Sequence, residues 1–97
     1  MVIELRACRP AANCYRHWRV EAGVDLFGHV TARVTFGRIG GAGRTIRYEF
    51  ASEAELQAFL RRRLRRRATA ERRIGVAYSV ARAPAAAASL LRMVGVA

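Results

Sequence analysis

The sequence predicts an α+β fold: a small antiparallel β-sheet of four to five strands packed on one long basic helix, followed by a short C-terminal helix. One change of period and one interruption carry this expectation. Apolar residues alternate in Ile3-Leu5-Ala7, Trp18-Val20-Ala22, Val30-Ala32-Val34-Phe36 and Ile46-Tyr48-Phe50, which is the pattern of half-buried strands. The glycine-rich segment 37–43 separates the last two runs and reads as a hairpin loop. Leu56, Phe59, Leu60 and Leu64 then switch to helical spacing and would cover the apolar face of the sheet.

The elements follow in order. Residues 2–8 form the first strand, with Glu4 and Arg6 on its wet face. Residues 9–13 turn, because Pro10 lacks an amide donor and Asn13 suits tight bends. Residues 15–22 form the second strand, with His17, Arg19 and Glu21 outward. The connection 23–28 contains Leu26 and Phe27, which are expected to pack over the sheet edge. Residues 29–36 and 45–50 make the third and fourth strands. Ser52 and Glu55 form a capping box that opens the helix. Arg61, Arg62, Arg65 and Arg66 point outward, while Arg63 and Arg67 lay their aliphatic stems along the apolar stripe. Residues 68–71 are a fraying end or link, and Ile74, Val76, Tyr78 and Val80 alternate as a fifth strand. Pro84 is placed as the first residue of a helix. The run 85–94 has only Arg92 as a charge, so it must bury against its own sheet or against a partner subunit. Residues 1–82 are thus one domain, and 83–97 an Ala-rich apolar tail.

Composition narrows the function. A chain of 97 residues is one domain with a modest core. Its net charge of +11, with all 18 basic residues arginine, suits a polyanionic partner. Glu4 and Arg6 interrupt any secretory leader, and no run is long and apolar enough for a membrane, so a cytoplasmic protein with free Cys8 and Cys14 is expected. No nucleophile stands beside His17 or His29. Cys8, Cys14 and His17 lack the usual spacing of a zinc site. Segment 37–43 has no Gly-Lys-Ser/Thr, which argues against a nucleotide triphosphatase. Neither catalysis, metal, cofactor nor a small-molecule substrate is expected.

The informative stretch is Phe36-Gly37-Arg38-Ile39-Gly40, continuing to Gly43 and Arg44. Glycines bend the loop, and Arg38 and Arg44 offer guanidinium forks to phosphate. The stretch resembles the Trp-Gly-Arg-hydrophobic-Gly signature of the WGR domain, with Phe36 in place of its tryptophan. Asn13-Cys14-Tyr15-Arg16-His17-Trp18, Leu26-Phe27-Gly28, Phe50 followed by Ser52-Glu53-Ala54-Glu55, and Arg72-Arg73-Ile74-Gly75 are similar to further family elements in matching order. The resemblance spans roughly residues 3 to 78. It implies a small sheet on one long helix, and DNA-end contacts by the residues at positions 36 and 38.

The expected function is therefore a nucleic-acid-binding module, contacting DNA in preference to RNA. Phe36, Gly37, Arg38 and Arg44 contribute from the hairpin, Arg61, Arg62, Arg65 and Arg66 from the helix, and Arg72 and Arg73 beyond it. Phe36 has two readings, a core residue by strand parity or a surface ring that stacks on a base. The competing function is a non-catalytic interaction or regulatory subunit that assembles with its own kind, or with a larger enzyme, through the apolar segment 84–94.

Overall fold

Each strand of the sheet runs antiparallel to its neighbours, in the spatial order β4-β3-β2-β1-β5. The computed structural model describes residues 1–96, so the last residue of the tail 83–97 lies outside the described residues. The strands are β1 (Val2–Arg9), β2 (Cys14–Val24), β3 (Val30–Arg38), β4 (Arg44–Phe50) and β5 (Ser79–Arg82). The helices are α1 (Glu53–Ala68), α2 (Ala70–Ile74) and α3 (Ala88–Val94). The α+β architecture expected from the alternation is present, with five strands, one 16-residue helix and a short C-terminal helix.

Register follows the apolar pattern, because a one-residue slip would turn every inward side chain to water. Leu5 pairs with Trp18, Trp18 with Phe36, and Phe36 with Arg44, so these residues share one face. Trp18, Ile3, Leu5 and Val20 from that face, with Leu60 and Leu64 from α1, are the largest fully buried side chains. The opposite face is wet and carries the ion pairs Arg6–Glu4, Arg19–Glu21 and Arg47–Glu49.

The local signals behave largely as their chemistry dictates. Asn13 closes a 3-10 turn at φ 50°, its amide donating to the Pro10 carbonyl at 2.9 Å. Ser52 Oγ accepts from the Glu55 amide at 3.2 Å, and the Glu55 carboxylate reaches back one residue further than expected, to the Ala51 amide at 3.0 Å. Two glycines are required by close approach. A Cβ on Gly37 would lie 2.8 Å from the Gly43 Cα, and one on Gly43 would lie 2.7 Å from the Phe36 carbonyl oxygen.

Four expectations need correction. Leu26 and Phe27 do not pack over the sheet edge; they are 100% and 85% exposed. The Asp25 carboxylate accepts from the amides of Phe27 and His29, each at 2.9 Å, and the closed turn leaves both apolar side chains uncovered. Residues 68–71 are neither frayed nor a plain link. The Thr69 hydroxyl donates to the Arg65 and Arg66 carbonyls and ends α1, and Ala70 is buried as the first residue of α2. The fifth strand does not begin at Ile74, which closes α2 before Gly75 at φ 75°; it begins at Ser79. Pro84 precedes a 3-10 turn, Ala85–Ala87, and α3 starts at Ala88.

The tail packs within the chain. Ala87, Leu91 and Val96 are buried in the same cluster as the sheet and α1. Leu90 and Val94 pack partly against it, while Met93 is 67% exposed.

Candidate nucleic-acid interface

The apolar face of the sheet is longer than the helix that covers it. Trp18 and Phe36 are followed, two residues further along β2 and β3, by Arg16 opposite Arg38. Strand parity therefore aims two arginines to the helix side of the sheet, where α1 is ending and cannot bury them. Arg67, in the last turn of α1, comes down from above. Its guanidinium lies 5.0 Å from the centre of the Trp18 ring. Together these groups bound a cleft of about 490 Å³, lined by Asn13, Cys14, Tyr15, Arg16, His17, Phe36, Gly37, Arg38, Arg67, Ile74 and Tyr78, with Ala12 at its edge.

Phe36 is neither sealed in the core nor a free surface ring. It lies on the core side of the sheet, half-buried and packed against the core cluster, and it also lines the cleft. Arg38 stacks on Tyr15, 4.7 Å from the ring centre. That contact leaves its N–H donors free for an anion, since cation–π stacking uses the guanidinium face. The loop amides contribute less than the glycine pattern suggested. Ile39 N donates to Tyr15 O at 2.8 Å and Gly41 N to Arg38 O at 3.0 Å, so both are already engaged.

Arg67 carries the electrostatic signature of the site. Burial holds its guanidinium below the ordinary arginine range, and the neighbouring Arg63, Arg66 and Arg73 push in the same direction against an opposing effect from Tyr78. Its Nη1 is buried without a hydrogen-bond acceptor, as is Nε1 of Trp18 beneath it. A buried donor lacking a partner is costly to the fold; of the two only Arg67 lines the cleft, and an anionic oxygen there would suit its donors while offsetting the crowded positive charge.

Not all of the predicted site residues converge. Phe36, Gly37 and Arg38 line the cleft. Arg66 and Arg73 line an adjoining depression that shares Arg16, Arg67, Ile74 and Tyr78 with it. Arg73 is also engaged structurally, donating to the Arg66 carbonyl and, at 2.8 Å, to the Thr69 hydroxyl, so it caps α1. Arg44 is exposed beside Phe36 in the ladder and lies outside the cleft lining. Arg61, Arg62, Arg65 and Arg72 line neither concavity. Arg61 is half-buried and not fully outward. Arg63 lies over Phe59 and Tyr48 and donates to the Tyr48 hydroxyl at 3.2 Å, as its flanking position led one to expect.

Sequence reasoning missed Arg16, Arg67 and Tyr78 as site residues. Arg16 was within reach: its parity with Trp18 assigns it to the inner face, beyond the point where apolar residues stop. Arg67 and Tyr78 had no local signal, because their meeting with Arg16 depends on where α1 ends and how α2 turns back.

Comparison of the chain with protein-family models, with curated proteins and with solved structures returns no match. Among the described residues no helix is long and apolar enough to cross a membrane.

Proposed function

We propose that the chain binds nucleic acid by seating a backbone or terminal phosphate in the cleft among Arg16, Arg38 and Arg67, with Phe36 and Tyr78 offering apolar surface to a base or sugar. The observation that carries this reading is the buried, unpartnered Nη1 donor of Arg67 in a concavity that Arg16 and Arg38 also line. Guanidinium forks suit phosphate oxygens, and aromatic faces accept any base, so the site favours phosphate and stacking over sequence readout. The preference for DNA over RNA rests on the resemblance to the WGR domain. Arg61, Arg62, Arg65, Arg66 and Arg72 supply the longer-range attraction that a net charge of +11 implies.

A titration of 5′-phosphorylated and unphosphorylated duplex, single-stranded DNA and RNA over a range of salt tests the reading. Binding weakens with salt, and the slope of log K against log salt falls by about 0.9 for each duplex-phosphate contact removed. Arg38→Ala and Arg67→Met each lower affinity and flatten the slope. Affinity that is unchanged in both variants rejects the cleft as the binding site. The tail is not favoured as the main contact surface, because Ala87, Leu91 and Val96 already face the core.

A further inference from the structure

At the end of the strands away from the cleft, two unused features meet. The first is the free edge of β4. This strand has a neighbour on one side only and pairs regularly over seven residues. The other edge strand, β5, is four residues long and its pairing with β1 carries a register shift, the kind of irregularity that discourages edge pairing. The second is the turn at Leu26 and Phe27, the two most exposed large apolar side chains described. The turn is built rigidly: Asp25 N donates to His29 O at 2.9 Å, Gly28 N to Asp25 O at 3.1 Å, and the Asp25 carboxylate receives two amides. The Asp25 carboxylate also meets Arg47 of β4 at 3.4 Å, so the turn stands beside the free edge. Rigid exposed apolar groups next to an unpaired edge are a combination that monomers usually avoid.

We propose that a second copy of this chain pairs with the first along β4, about a twofold axis at Tyr48, with the Leu26–Phe27 turns of the two copies flanking the join. The side-chain order of β4 suits this partner. In an antiparallel pair centred on residue 48, residue 47 of one copy faces residue 49 of the other. Arg47 would thus meet Glu49 on the wet face, twice by symmetry. Edge strands that resist pairing carry like charges; here the charges flanking the axis are opposite and self-complementary. On the helix side the same register sets Ile46 opposite residue 50, a phenylalanine, and both are half-exposed in the single chain. The main-chain ladder alone removes little apolar area, and the paired turns add to it toward the roughly 1,200 Å² of a specific interface. Two chains of charge +11 repel, so pairing strengthens as salt screens that repulsion.

Sedimentation equilibrium of the full chain without nucleic acid, at low and high salt, tests the proposal. The wild type is expected at twice the chain mass, more completely at high salt. This is opposite in sign to the salt dependence of nucleic-acid binding, so either reading can fail while the other stands. Glu49→Arg and Arg47→Glu, each confirmed folded by circular dichroism, are expected at single-chain mass when alone. Mixed, they are expected to form a heterodimer, because both facing positions become complementary. Leu26→Ser with Phe27→Ser weakens the dimer by about tenfold or more while leaving the single chain's melting temperature in place, because exposed side chains contribute little within one copy. A wild type of single-chain mass at every salt concentration overturns the proposal. A dimer that survives Glu49→Arg also overturns it, as does a folded mixture that does not associate.

Discussion

Phe36 is neither a sealed core residue nor a free surface ring, and its substitutions separate the two contributions. Phe36→Trp is expected to fold with little loss, since the larger ring can extend into the cleft where a closed core would be overpacked by roughly 1–3 kcal/mol. Phe36→Ala lowers nucleic-acid affinity by about 1–3 kcal/mol if the ring stacks on a base, and it also lowers the melting temperature because one side of the ring packs on the core. Melting curves and binding isotherms of both variants check this. Arg67→Met should move stability and binding in opposite directions. Methionine keeps a long apolar stem over Trp18 and removes a desolvated charge crowded by Arg63, Arg66 and Arg73, so the melting temperature holds or rises while affinity falls. A fall in both would mean that Arg67 is needed for the fold itself. Asp25 gives a pH test. The His29 amide bond is the first cause that holds its carboxyl below the ordinary value of 3.8; burial opposes it, and the Phe27 amide, His29 and Arg47 add to the lowering. A carboxyl lowered in the folded state stabilises at pH above its unfolded value, and that contribution disappears as pH falls through the folded one. The Phe27 and His29 amides should therefore lose exchange protection only in acid, below the ordinary aspartate range, and they should lose it at neutral pH in Asp25→Ala.

At the scale of elements, the arginine run of α1 divides by face. Arg63 and Arg67 lie on aromatic rings, and Arg66 borders the cleft, whereas Arg61, Arg62 and Arg65 line no concavity. Replacing Arg61, Arg62 and Arg65 with Gln is expected to weaken binding uniformly across nucleic acids, as removal of a diffuse field does. The cleft variants should change discrimination between phosphorylated and unphosphorylated ends as well. Competition titrations with the two ends distinguish these outcomes. The helix was legible from spacing and capping chemistry, yet its division of labour was not, since one heptad of arginines looks uniform until the sheet beneath it is known. The tail makes a second case. An apolar run with one charge had to be buried, and both its own fold and a partner could serve; the packing of Leu91 beside α1 decides for the fold. Leu91→Ala should cost about 2–5 kcal/mol, measured by denaturant unfolding, whereas Met93→Ser should cost almost nothing.

Over the whole molecule, charge is distributed along the strands. Arg9, Arg16, Arg38 and Arg44 sit at the end of the sheet where α1 finishes, and Arg65, Arg66, Arg67, Arg72 and Arg73 join them there. Five of the seven acids, Glu21, Asp25, Glu49, Glu53 and Glu55, lie toward the other end of the strands or in the first turn of α1. The helix dipole runs in the same sense, acids at its N-terminus and arginines at its C-terminus. The principal extent is 45 Å, several times the screening length at physiological salt of about 8 Å, so the two ends act separately. A nucleic acid should approach one end only. Amide chemical-shift changes on adding a duplex are expected at residues 14–18, 36–44 and 65–75, and not in the turn 25–29; shifts of equal size in that turn would contradict the polarised surface.

The residues by themselves determined the fold class, the parity of each strand, the Ser52 cap, the hairpin at Gly37 to Gly43 and the need to bury the tail. Each of these depends on neighbours in the chain: a period of two or of helical spacing, a side chain that bonds a nearby amide, or a glycine where a Cβ would collide with its own hairpin. The tertiary structure decided the rest. Strand register set Arg16 opposite Arg38, the length of α1 placed Arg67 above Trp18, and the Thr69 cap turned Ile74 and Tyr78 toward them instead of into a strand. The exposure of Leu26 and Phe27 was decided in the same way, by the absence of any element over the Asp25 turn among the described residues. A basic cleft is a property of side chains that are distant in sequence. Only the packed sheet and helix bring them to one concavity, where burial leaves the Arg67 Nη1 donor without a partner.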